Sequence, residues 1–455
     1  MGHLPFILAA VAIVARDGFE RPIWSDNWSP LASALVLLGA LAGIVLILAV
    51  RLWGLYRAMD RRGSVRAARR ASGAIRHAQF ALALAFVVGV IAFGWLDAVR
   101  TWIGDGVGYD ELVAILPLLV ASMCCAGLGF GLERRLREAA LLRQIDEGAT
   151  IYAVPTRWAH VWLFTRQQPL FVLLPVLTIL SWSECVALIA DGPLAFAMQV
   201  GGAIALLALA PLMVRFLWDT TPIRAGALGD RLRTMASSHG VGVRAFLVWH
   251  TGGAQVNAAV IGLLPWLRYV VITDALLESL PGPEVEAVAA HEIGHIRRRH
   301  MPWLIGAAMG PALVLGLAGE RLALALGLVP TLPGLIAGGA GALIVFGMVS
   351  RRFERQADSF AAQHLSHGAP QVEEHAASVM VSALRRVAHL NGLPVDRPTW
   401  RHGSIGTRCR ALGTTIGSRF GRTPPDHAAA WAKLMVLVLV LAGGFWATLD
   451  ALSRS

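Results

Sequence analysis

Apolar residues in this chain come in long unbroken runs, separated by shorter stretches dense in arginine. Residues 31–50 hold twenty positions without a charge, and 78–96 and 112–132 are built alike. A helix needs about 20 such residues to cross ~30 Å of hydrocarbon. Residues 169–190 and 194–214 form a pair joined by Asp191-Gly192-Pro193, a tight-turn sequence. Residues 301–319 and 434–449 are further candidates. The run 322–350 is broken by Pro330 and Pro333, so its spanning part is expected at 335–350. The pattern predicts a mainly α, polytopic α-helical membrane protein with about eight spans. Residues 4–15 are too short to cross and are read as an interfacial segment. With no basic stretch ahead of them and no A-x-A site after them, a cleaved signal peptide is not expected.

Composition agrees with the pattern. Of 455 residues, 56% are hydrophobic and 15% charged, and mean hydropathy is +0.60. Ordinary soluble domains carry about 25% charge, so a water-soluble globule and a disordered chain are both excluded. The formal charge of +11 sharpens the topology rather than the chemistry. Residues 51–76 hold eight arginines and one acid, Asp60, whereas 97–111 hold one arginine and four acids, and 133–168 hold six arginines. The excess of positive charge marks cytoplasmic loops. Alternation then places 215–300 and 351–431 on the cytoplasmic side, joined by a two-helix excursion through the bilayer. The basic segments are expected to set topology and touch anionic lipid. Nucleic-acid binding is not expected, because no recognition module accompanies the charge. Four cysteines give no disulfide framework.

The stretch 283–300 reads P-E-V-E-A-V-A-A-H-E-I-G-H-I-R-R-R-H. Proline at its start, Glu284 and Glu286 in the first turn and Arg297–Arg299 at the end predict a helix. Residues four apart share a helical face, so His291 and His295 can reach one zinc ion. Glu292, beside the first ligand, can take a proton from a metal-activated water. Gly294 costs about 1 kcal/mol in a helix interior, which points to close packing there. Zinc needs a third protein ligand and an open position. Glu354, within R-R-F-E-R-Q-A-D, is the candidate, with Asp358 one turn on to hold a ligand histidine by hydrogen bonding. Read alone, that segment could equally be a solvated charged helix following a span. His300 is read as an exposed helix-end residue, and Glu184 as an intramembrane acid in a structural or snorkelling role.

HExxH followed by ExxxD, in the context E-R-x-A-D, resembles the integral-membrane zinc metallopeptidases of the HtpX-like and type I CAAX prenyl protease-like family, a gluzincin group. Asn257-Ala258 resembles that family's N-A segment leading into edge strands, and residues 268–273 (R-Y-V-V-I-T) read as a strand ahead of the helix. Residues 402–408 are similar to the family's H-P-S-x-x-x-R, with Gly403 where the family has proline. The resemblance covers roughly residues 217–430. It implies a zinc metallopeptidase fold with a small β edge and one zinc per chain, His291, His295 and Glu354 as ligands and Glu292 as general base. It further implies His402 near the substrate carbonyl, Asp358 and Arg408 in support, and Asn257 on a substrate-binding strand. The implied activity is hydrolysis of peptide bonds in membrane or cytoplasmic-side proteins.

The domain plan expected is a multi-span membrane domain at 1–216, a zinc metallopeptidase domain at 217–431 with an inserted membrane hairpin at about 301–350, and a last span in 432–455. The expected location is the bacterial cytoplasmic membrane, with the lipid bilayer and a membrane-associated protein or peptide substrate as partners. Intramembrane site-two proteases also use HExxH, but they place it within a span and add an L-D-G segment, which this chain lacks. The rival from another class is an inactive membrane scaffold or transporter-like protein that retains a peptidase fold. The intact set His291, Glu292, His295, Glu354 and Asp358 weighs against it.

Overall fold

The computed structural model describes residues 3–16, 28–62, 64–146, 151–224, 226–328 and 330–454. The chain divides into two compact units, Met1–Trp218 and Asp219–Ser455. Among the described residues seven helices are long and apolar enough to cross a bilayer, or eight if one bent helix counts as a span.

The first unit is all helix: α1 (Leu4–Arg16), α2 (Pro30–Arg62), α3 (Val65–Ile91), α4 (Trp95–Ile103), α5 (Tyr109–Asp146), α6 (Arg157–Gln167), α7 (Pro169–Ile189) and α8 (Gly192–Leu217). Leu37, Leu82, Phe86, Leu96, Ile115 and Leu118 are fully buried between them, while Leu31, Leu35, Leu46 and Val50 point outward more than 60% exposed. Such an apolar surface is stable only against lipid. The short α1 buries Phe6, Ala9 and Ile13 and ties down through a double Arg16–Asp97 hydrogen bond.

The basic stretches read as loops are instead mostly helical. α2 runs on to Arg62, and α3 restarts at Val65, capped by the Ser64 hydroxyl, which accepts from the Ala67 N–H. Position 63 and residues 147–150, parts of those stretches, lie outside the described residues. Arginine is a good helix former, and a helix keeps its backbone paired as it leaves the hydrocarbon. Arg135 joins two such extensions by two hydrogen bonds to Asp60, at 2.7 and 2.8 Å. Glu184, in α7, comes beside Asp110 and Glu111 in the first turn of α5, with one ligand-type atom from each within 4.8 Å of the others. Arg100 from α4 bonds both of the latter, at 2.7 and 3.1 Å.

The second unit holds β1 (Thr220–Pro222), α9 (Ala227–Ser238), β2 (Ala245–Trp249), β3 (Ala258–Ile261), β4 (Tyr269–Thr273), α10 (Asp274–Ser279), α11 (Gly282–Arg297), α12 (His300–Ala325), α13 (Thr331–Leu365), α14 (Glu374–Leu390), α15 (Ile405–Gly413) and α16 (Pro424–Arg454). The sheet order is β1-β2-β4-β3. β4 runs parallel to β2 and antiparallel to β3, and all five of its residues are buried. The strand read at 268–273 is β4, an inner strand that offers no edge for substrate, because its Y-V-V-I-T run is apolar on both faces, as a covered strand requires. The two outer strands are β1 and β3.

α12 and α13 form the inserted hairpin, and α16 packs beside them. Their approach is close: a Cβ on Gly338 would stand 2.7 Å from the Ala312 carbonyl, and one on Gly310 would stand 3.0 Å from the α16 backbone. Small residues allow such contacts between membrane helices. Outside the hairpin, α14 covers α11 with Ala376, Ala377, Met380, Ala383 and Leu384.

One polar contact fixes that packing. The buried Glu284 carboxylate, in the first turn of α11, accepts from Ser382 Oγ at 2.7 Å and Arg386 Nε at 2.7 Å on α14. Charge-assisted bonds of this kind contribute about 1.5–3 kcal/mol. Glu284→Ala is expected to destabilise the protein by about 2 kcal/mol, read as a lowered melting temperature in detergent, with Glu284→Gln retaining part of the loss.

Candidate active site

The site is built where α11 and α13 cross. Pro283 sits in the first turn of α11, whose last turns carry His291, Glu292 and His295 on one face. α13 is one continuous helix that begins in the apolar hairpin and ends well beyond it, carrying Glu354 and Asp358. Glu354 is 6% exposed and Asp358 1%, so the solvated-helix reading of that segment fails. Gly294 is what lets the helices meet. A Cβ there would stand 3.0–3.2 Å from the Phe360 side chain.

The crossing gathers the donors that sequence spacing singled out. His291 Nε2 and His295 Nε2 are 3.2 Å apart. Glu354 Oε2 lies 3.6 Å from His291 Nε2, and Oε1 lies 3.9 Å from His295 Nε2. Behind them His291 Nδ1 stands 2.9 Å from Asp358 Oδ1. Arg408, on α15, grips Asp358 with Nε at 2.8 Å and Nη2 at 2.6 Å, and reaches Glu354 Oε2 with Nη1 at 3.0 Å. His402 Nδ1 is 2.8 Å from Glu354 Oε1. Thus His402 and Arg408, placed only by resemblance, join the group. Asn257 lines the same cleft of about 590 Å³, along with Ala258, Val260 and Glu292.

His300 corrects the sequence reading. Far from exposed, it is fully buried and stacks on Phe353 with ring centroids 4.2 Å apart. Arg299 takes a left-handed backbone (φ 55°), which turns the chain so that His300 folds back on His295. Nothing in a periodic pattern signals such a turn; the only hint is a third histidine close behind the pair. His300 Nδ1 is 2.8 Å from His295 Nδ1, and its Nε2 is 2.9 Å from Gln356 Oε1. Gln356 Nε2 donates to Asp426 Oδ1 at 2.8 Å. The chain of bonds has one consistent direction. An amide nitrogen on Asp426 leaves Gln356 Oε1 as acceptor, so His300 donates from Nε2 and accepts at Nδ1. His295 therefore donates from Nδ1 and keeps a lone pair on Nε2, aimed at the donor cluster. Gln356 and Asp426 were likewise missed, since neither belongs to a local motif.

Burial dominates the electrostatics. It drives the His295 imidazole down to about 3, with His291 pulling the same way. For His291 burial is outweighed by the contact with Asp358, and the ring is raised. Burial pushes the Glu292 carboxyl up to about 7, against the pull of His291. Burial likewise opposes the charge of Arg408, but Asp358 and Glu354 more than offset it and raise the guanidinium.

Residues 222–429 match the model of peptidase family M48. Within the chain, 137 residues are 32% identical to a protease HtpX homolog of Aeropyrum pernix, covering 27% of this chain and 42% of the relative. The chain thus spans about two fifths of that relative's length. The crystal structure of Ste24p from S. mikatae aligns with 84% of this chain and 98% of that one, at 15% identity and a TM-score of 0.43. Both units carry apolar helices long enough to cross a bilayer, and the matched residues 222–429 hold every donor described above.

The convergence of α11 and α13 rests on the Gly294–Phe360 contact. Phe360 is pinned on its other side by His239, with ring centroids 4.7 Å apart. Gly294→Ala should therefore destabilise the protein despite a helix-propensity gain of about 1 kcal/mol, and Gly294→Val should cost about 1–3 kcal/mol through overpacking. Thermal unfolding of both variants checks the order.

Proposed function

We propose that the protein is an integral-membrane, zinc-dependent endopeptidase that cleaves peptide bonds of membrane or cytoplasmic-side proteins. The convergence of two imidazoles and a carboxylate from separate helices carries this reading. Donors bound to one zinc at ~2.0–2.2 Å in a tetrahedron stand roughly 3.3–3.6 Å apart. The pairs at 3.2, 3.6 and 3.9 Å come close to that spacing. The donor set also suits zinc chemically, being two neutral nitrogens with lone pairs directed inward and one carboxylate. His291, His295 and Glu354 would hold it, one ion per chain. When bound, zinc supplies Lewis-acid polarisation of a carbonyl and acidifies a water molecule.

The remaining work falls to the chain's own residues. Glu292 takes the proton of the attacking water and returns it to the leaving amine. A carboxyl lifted toward neutrality by burial is poised for that exchange. His402 donates from Nδ1 to Glu354, and as the imidazolium it can also donate from Nε2 to the substrate oxygen as negative charge develops, an effect of about 3 kcal/mol. Asp358 and the His300–Gln356–Asp426 chain orient the two ligand imidazoles. Arg408 holds both carboxylates of α13 in place. The β3 edge, with Asn257 at its start, pairs with an extended substrate backbone. That mode reads main chain more than side chain. The arginine excess in 51–76 and 133–168 supports placing the site on the cytoplasmic side of a bacterial cytoplasmic membrane.

Glu292→Gln should lower kcat by about 10²–10⁴-fold on casein or a membrane substrate, with one zinc per chain still found by elemental analysis. Equal cleavage by variant and wild type would remove Glu292 from the mechanism. Chelation should abolish wild-type cleavage, and added zinc should restore it. His300→Ala should weaken zinc affinity by about 10–100-fold, measured by competition with a chromogenic chelator, while the zinc-saturated variant retains most of its kcat.

A further inference from the structure

The peptidase reading places an extended substrate on the free edge of β3, and the backbone there has a definite parity. Thr273 N–H donates to the Asn257 carbonyl at 3.0 Å, so Asn257 turns its main-chain groups toward β4. Alternation along an antiparallel strand then turns Ala259 and Ile261 inward, and Ala258 and Val260 outward to the cleft. By the same parity Val256 faces outward. Its edge is already filled. Asn391 Oδ1 accepts from the Val256 N–H at 3.2 Å, and Asn391 Nδ2 donates to the Val256 carbonyl at 2.8 Å. The carboxamide makes the same two bonds that a neighbouring strand would make. At the other end the Gly262 carbonyl is taken by Arg268 Nε at 3.2 Å, and Gly262 leaves the extended conformation with φ 109°. The cleft lining begins at Asn257 and runs on to Gly262 and Leu263, and it includes neither Val256 nor Asn391.

We propose that Asn391 is a specificity-determining residue that ends the pairing track at Val256. The cleft then takes a short extended stretch of polypeptide, such as a loop or a chain end, rather than a long strand. Two outward residues, Ala258 and Val260, face the cleft, and the Val260 main chain already meets the Glu292 carboxyl. Asn391 sits at the end of α14, the helix that forms the facing wall with Leu384 and Val387, so the groove closes where wall and strand meet. An open edge of this kind invites pairing with any chain, and a side-chain mimic of a strand blocks it at a defined position.

The proposal rests on the peptidase reading, so the test separates the two. Full-length zinc-loaded protein carrying Glu292→Gln binds a fluorescein-labelled peptide, followed by anisotropy. A core peptide is compared with versions extended by four residues at either end. The Asn391-intact protein should bind all three alike. Asn391→Ala exposes two backbone groups and should tighten one extended peptide by about three- to tenfold, as two added hydrogen bonds would, leaving the core peptide unchanged. Asn391→Asp, which accepts but cannot donate, should fall between. An unchanged ratio of extended to core affinity in Asn391→Ala would overturn the proposal. So would an equal weakening of all three peptides, the signature of Asn391 acting only as a helix cap through its bond to the Val387 carbonyl. Absence of peptide binding to every form would overturn it too. Cleavage by the Glu292-intact enzyme reads the other question: peptides that bind with the expected ratio yet stay intact would sink the peptidase reading and leave the edge proposal standing.

Discussion

A buried guanidinium holds the site together. Glu354, Asp358 and Glu292 bring three carboxyl groups into a space with little water, and such groups repel one another strongly when desolvated. Arg408 answers two of them at once, with two bonds to Asp358 and one to Glu354. Because the fork is rigid, it also fixes where the two carboxylates stand relative to the histidines. Removing one partner of such an arrangement leaves the others uncompensated, which costs far more than the arrangement contributes when whole.

The same economy appears one layer out. Each ligand imidazole has its outer nitrogen engaged: His291 by Asp358, and His295 by His300. The two supports come from different elements, α13 and the start of α12, and the second continues through Gln356 to Asp426 at the start of α16. Thr423 closes that chain by donating both its N–H and its hydroxyl to Asp426. Four helices thereby agree on the orientation of two rings.

Much of this was legible in the sequence, and the limits are physical. Long apolar runs announce spans because the bilayer imposes a length. The five-residue motif announces paired ligands because helical geometry fixes which side chains share a face. Glu354 and Asp358 were legible for the same reason. His300 was not, since its place depends on one left-handed residue, Arg299, that no periodicity encodes. The 268–273 strand was recognised as a strand, but its inner position depends on β2, whose paired residues lie 24 positions earlier, as well as on β3. The basic stretches misled in another way. Charge density reads as loop, yet arginine tolerates helix well, and α2, α3 and α5 continue through it.

α13 carries one arm of the apolar hairpin and the buried carboxylates Glu354 and Asp358 on one unbroken rod, and α12 begins at the residue that contacts His295. The part of the molecule that gathers these side chains is consequently not separable from its apolar hairpin. A soluble fragment trimmed of the hairpin would lose the beam on which Glu354 is mounted and the turn that seats His300 in the same stroke. Here the apolar hairpin is a structural member of the histidine and carboxylate cluster, and no tether of equal length could replace it.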